Sequence, residues 1–121
     1  MKRCYRLLLV FLLCVVFAAR VSAELSEDEA RAQLKQGAVV VDVRTVEEFN
    51  AKHLTNVVNI PLAEVSEKIP TLVTNKSQIV LLHCRTGRRS GIAESQLREL
   101  GYTNVFNIGS FERASKILSG N

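Results

Sequence analysis

Beyond its first two dozen residues, the chain alternates apolar blocks of strand length with polar segments spaced for helices. Ser26-Glu27-Asp28-Glu29 has the spacing of a capping box and predicts a helix that Gly37 ends. Ala38 to Val43, apolar but for Asp42, predicts a parallel strand covered on both faces. Thr45-Val46-Glu47-Glu48 is a second capping box, opening a short helix through about Lys52. Val57 to Ile60 predicts a short strand closed by Pro61, and Ala63 to Ile69 a further helix. Gln78 to His83 is the second buried strand. Ile92, Ala93, Leu97 and Leu100 form a helical stripe within Ser90 to Leu100, which Gly101 ends. Val105 to Ile108 predicts the last strand, and Ser110 to Leu118 the last helix. Strands alternating with helices imply one α/β domain, with a parallel sheet of four to five strands and helices on both faces.

The first residues follow a different pattern. Lys2, Arg3 and Arg6 precede an almost unbroken apolar run from Leu7 to Ala19, and Val21-Ser22-Ala23 has the form of a cleavage site. The run falls short of the ~20 residues that span a bilayer. Residues 1–23 are therefore expected to be a cleaved signal peptide, leaving 24–121 as the mature domain in the periplasm, without stable membrane association.

This division changes the charge and the cysteine count. Four of the 16 basic residues and none of the 12 acidic ones lie in residues 1–23, so the mature chain carries no net charge. The sequence pI near 9.2 gives no support to nucleic-acid binding. Cys4 and Cys14 leave with the signal, so Cys84 is a lone thiol in a compartment that favours disulfides. It is either a buried small hydrophobe or a reactive group.

Its neighbours favour reactivity. His83-Cys84-Arg85-Thr86-Gly87-Arg88-Arg89-Ser90 joins a strand to a helix, at the strand end where ligands bind in such folds. Successive amides in that turn can form a nest, and the helix start adds positive potential. Gly87 permits the left-handed backbone required, and Ser90 is placed to cap the helix and to aim its hydroxyl at the sulfur. With three arginines close by, a thiol of ordinary pKa near ~8.5 should fall to roughly 3.5–7.5. His83, adjacent on the strand, faces the opposite way and is expected to pack behind the loop. His53 is expected to be a hydrogen-bonded structural residue. Of Glu47 and Glu48, one should serve as a cap and the other as an ion-pair partner. No cluster suggests a metal, and no cofactor is required.

The loop resembles the active-site loop of rhodanese domains. Val41-Asp42-Val43-Arg44-Thr45-Val46-Glu47-Glu48-Phe49, then His53-Leu54 and Asn59-Ile60-Pro61, resemble that family's first block. Gly101-Tyr102 through Asn107-Ile108-Gly109 resembles its closing strand, so the similarity covers nearly all of residues 26–112. In length, leader and loop the chain is most similar to exported single-domain thiosulfate sulfurtransferases. The resemblance implies that Cys84 takes a sulfane sulfur from thiosulfate, or a similar small donor, and passes it to cyanide or a thiol. It also implies a substrate-binding loop of Arg85, Thr86, Gly87, Arg88, Arg89 and Ser90. Within it, backbone amides hold the persulfide, and Arg85 and Arg88 contact the donor's sulfonate. Asp42 and Arg44 match the family's Asp-x-Arg and would buttress the loop from the next strand. A monomer is expected.

Two other readings share the pattern. Cysteine phosphatases and arsenate reductases bind an oxyanion in the same kind of turn, but place Arg six positions after the cysteine, where this chain has Ser90. A non-catalytic module of the same fold is the other.

Overall fold

The computed structural model describes residues 24–120; the expected signal peptide lies outside them. Among the described residues, five α-helices surround one sheet: α1 (Glu27–Lys35), β1 (Val39–Asp42), α2 (Val46–Ala51), β2 (Val58–Asn59), α3 (Val65–Leu72), β3 (Val80–His83), α4 (Arg88–Glu99), β4 (Val105–Gly109) and α5 (Phe111–Ser119). The strands run parallel in the order β2-β1-β3-β4, which meets the lower bound of the expected strand number.

Side-chain alternation along the strands builds two cores. Val41, Val80 and Leu82 face α3 and α4, where they pack with Val65, Ile69, Ala93 and Leu97. Val40 and Leu81 face α1 and α5, against Ala30, Ala114 and Ile117. Residue 84 continues the parity of 80 and 82, so Cys84 belongs to the α3–α4 core, and His83 points the other way.

Capping chemistry fixes most helix starts. Ser26 Oγ accepts from the Glu29 N–H, and Ser110 Oγ from the Arg113 N–H. Thr45 and Glu48 form the complete reciprocal box at α2. Several boundaries differ from expectation, two of them with a clear physical reason. α3 continues through Pro70 rather than stopping before it. The bond that a proline cannot donate would go to the carbonyl of Ser66, which is exposed and can turn to water. α4 begins at Arg88, with Gly87 at the N-cap, so Ser90 lies one turn inside the helix and does not cap it.

The register of β3 with β4 slips by one residue. Leu82 pairs with Asn107 and His83 with Gly109, leaving Ile108 as the extra residue of a bulge. Gly109 is thereby brought level with His83, where its carbonyl meets the turn that follows β3.

Candidate active site

The turn is built between a buried strand and the start of α4. The Cys84 N–H donates to the Gly109 carbonyl at 3.2 Å, the Phe111 N–H donates to the Arg85 carbonyl at 3.3 Å, and Thr86 forms a bridge with Ser110. Gly87 has φ +98°, and a Cβ there would sit 3.3 Å from Gly109 Cα, so both backbone angle and space require glycine.

Cys84 Sγ is buried at the floor of this turn. The Gly87 N–H donates to it at 3.0 Å, and the Ser90 hydroxyl lies 3.4 Å away. Burial pushes the thiol up, but hydrogen bonds from the Ser90 hydroxyl and from the amides of Ser90, Gly87 and Thr86 outweigh it and hold it below its ordinary value. Gly87, at the N-cap, has no side chain with which to cap α4. The sulfur takes the position of a capping oxygen at the positive end of the helix, where a negative charge is stabilised.

The three arginines separate. Arg85 and Arg88 are exposed and form no ion pair among the described residues. Arg89 instead forks onto Glu48, at 2.6 and 3.0 Å. The Arg89 guanidinium is thus held against α2. Glu48 does both jobs expected of the glutamate pair, closing the α2 cap and pairing with Arg89, and the Arg89 hydrogen bonds lower its carboxyl to about 2.

Asp42 and Arg44 form a buried pair at the end of β1, with Arg44 Nη2 2.7 Å from Asp42 Oδ2. Arg44 also donates to the Lys52 carbonyl and lies 4.9 Å from the centre of the Phe111 ring. Their link to the turn is indirect, through Phe111 and its bond to Arg85. His83 is buried behind the turn, edge-on to Phe111 and with Nε2 3.7 Å from Asp42 Oδ2. Burial lowers its pKa, with Asp42 opposing in part. His53 Nδ1 is 2.9 Å from the Phe49 carbonyl, and its ring stacks on Phe49, in the structural role expected.

The sequence reading missed Asn107. Its Nδ2 donates to the Gly87 carbonyl at 2.9 Å, and its Oδ1 accepts from Ser90 at 2.7 Å and from the Gly109 N–H at 2.8 Å. A polar residue in an apolar closing strand was the available signal. Beside the turn lies a cleft of about 610 Å³, lined in part by Lys52, Arg85, Thr86 and Phe111. No helix among the described residues is long and apolar enough to cross a membrane.

Known proteins share this fold. A family profile described as "Rhodanese-like domain" matches residues 26–115. The thiosulfate sulfurtransferase PspE of Escherichia coli is 43% identical over 72 residues, covering 60% of this chain and 69% of that protein. A solved structure described as rhodanese with anions from E. coli superposes with a TM-score of 0.61 at 40% identity, over 64% of this chain and 91% of that one. The human single-domain sulfurtransferase TSTD1 superposes with a TM-score of 0.63 at 25% identity, covering 78% and 96% of the two chains.

Proposed function

This chain is a sulfurtransferase of the rhodanese-like family, and from that premise we propose that it carries sulfur from thiosulfate to cyanide or a thiol as a persulfide on Cys84. The Cys84 thiolate attacks the outer sulfur of thiosulfate. A new S–S bond forms, and the old one breaks with its electron pair leaving on sulfite. The negative charge then sits on the outer sulfur of the persulfide, within reach of the amide nest. Cyanide attacks that sulfur, the S–S pair returns to Sγ, and thiocyanate leaves; a thiolate acceptor takes the sulfur in the same way.

The observation that carries this reading is a sulfur that accepts N–H and O–H donors at the start of α4 and is held below its ordinary pKa. The size of the turn favours sulfur over phosphate. At the sixth position after Cys84, a phosphatase directs a guanidinium at the oxyanion, whereas here that position is the buried Ser90. Arg85 and Arg88 are the side chains free to meet the sulfonate end of the donor, while Thr86 and Gly87 contribute backbone. Asp42 and Arg44 support the turn from behind. Incubation with thiosulfate should add one sulfur to the intact mass, and cyanide should remove it. Cys84→Ser should show no gain while keeping its circular-dichroism spectrum; a variant that still gains sulfur would overturn the assignment.

The pattern of residues 1–23 supports export to the periplasm with Glu24 as the mature N-terminus. Intact mass of protein released by osmotic shock tests this, and a full-length species confined to membranes would refute it.

A further inference from the structure

The Ser90 hydroxyl carries one proton and has three acceptors around it: Asn107 Oδ1 at 2.7 Å, the Gly87 carbonyl at 3.2 Å and Cys84 Sγ at 3.4 Å. The other partners of Asn107 fix which way its amide faces. Flipping it would set its NH2 against the Gly109 N–H and its oxygen against the Gly87 carbonyl, so the oxygen faces Ser90. How strongly the sulfur attracts the proton depends on charge. A neutral thiol is a weak acceptor, so the hydroxyl stays on Asn107. A thiolate is a charged acceptor, whose hydrogen bonds are roughly twice as strong, so the hydroxyl turns to it. Asn107 Oδ1 then keeps the Gly109 N–H and is not left bare.

We propose that Asn107 is a positioning residue for Cys84, holding the Ser90 proton while the sulfur is uncharged and yielding it to the thiolate. This rests on the sulfur-carrier reading above. When thiosulfate is attacked, the charge moves from Sγ to the outer sulfur, about 2 Å away across the new S–S bond. Sγ becomes a neutral dithio sulfur, and the hydroxyl swings back to Asn107. When the acceptor removes the outer sulfur, the pair returns to Sγ and the hydroxyl follows it. No proton enters or leaves. Asn107 thus sets the acidity of Cys84 without touching it, because every gain in its hold on Ser90 is lost to the thiolate. Among the donors that draw the thiol down against burial, the Ser90 hydroxyl is foremost.

The test is a titration of thiolate ultraviolet absorbance in the full chain, each variant read against its own Cys84→Ser counterpart. Ser90→Ala should raise the apparent pKa of Cys84. Asn107→Ala should lower it by about half a unit to one unit, the equivalent of one ordinary hydrogen bond. Combined with Ser90→Ala, Asn107→Ala should have no further effect. A shift of equal size with and without Ser90, or no shift at all, overturns the proposal, since either would mean that Asn107 does not act through the hydroxyl. If Asn107→Ala does not fold, Asn107→Asp decides the matter, because it keeps an oxygen toward Ser90. It should raise the pKa more in the Ser90 protein than alongside Ser90→Ala; equal shifts overturn the idea. The titration needs no sulfur donor, so failure of Cys84 to load from thiosulfate would count against the carrier reading and leave this result standing.

Discussion

Each arginine of the turn should fail in its own way. Arg85 and Arg88 are exposed and have no acidic partner among the described residues, so Arg85→Ala and Arg88→Ala should act on capture of the thiosulfate dianion. A charge-assisted hydrogen bond is worth roughly 1.5–3 kcal/mol, about ten- to a hundredfold in kcat/KM. The loss should fall mainly on KM for thiosulfate and shrink at high salt; an unchanged KM in both variants would assign these groups to solvent. Arg89 is committed to Glu48, and its loss should lower stability and leave that KM alone. The same pair has a pH signature. Because the fold depresses Glu48 to about 2, the stability it contributes is present above the ordinary carboxylate pKa of ~4.3 and is lost as pH falls toward that lower value. Denaturant midpoints of wild type and Glu48→Gln should therefore converge over this window. The sequence pointed to Cys84 and its neighbours because the turn is local. It did not show that Glu48 is the partner that holds Arg89, because Glu48 is 41 positions away.

Helices and strands were legible for the same reason: capping boxes, apolar runs and glycine stops act within a few residues. What escaped was set by contacts between elements. Ser90 has the chemistry of a cap, yet α4 starts two residues earlier because the sulfur of Cys84, arriving from β3, takes the capping position. Asn107 reaches Ser90 and Gly87 because strand alternation puts it on the Val105 face of β4, toward α4, and no spacing rule within β4 shows which side chains of α4 it will meet. The turn also depends on one backbone angle. Gly87→Ala would place a Cβ in the left-handed region, at a cost of about 1–2 kcal/mol, and 3.3 Å from backbone that cannot move aside as a side chain could. Its melting temperature should fall by several degrees, and sulfur uptake should drop further than stability alone explains. Uptake at the wild-type level would show that the nest tolerates another shape.

Across the whole molecule, the parallel topology gathers Asp42, His83 and Cys84 at the carboxyl end of the two inner strands, and burial makes that end sensitive to acid. His83 is held below its ordinary pKa, mainly by burial, so the unfolded chain takes up a proton that the folded one resists. Stability should be intact above ~6.5 and decline as pH drops below it, ahead of the loss at Glu48. His83→Gln should remove this first decline from denaturant midpoints measured against pH; its persistence would place the sensitivity elsewhere. The sulfur at the head of α4 has a further consequence, because an equilibrium shared by two processes is felt by both. Whatever free energy the thiolate lends to the first turn of α4, that turn lends back as acidity. The helix therefore frays or tightens with the state of its cysteine, and amide hydrogen exchange at Gly87 and Ser90 should follow the charge on Sγ through a catalytic cycle.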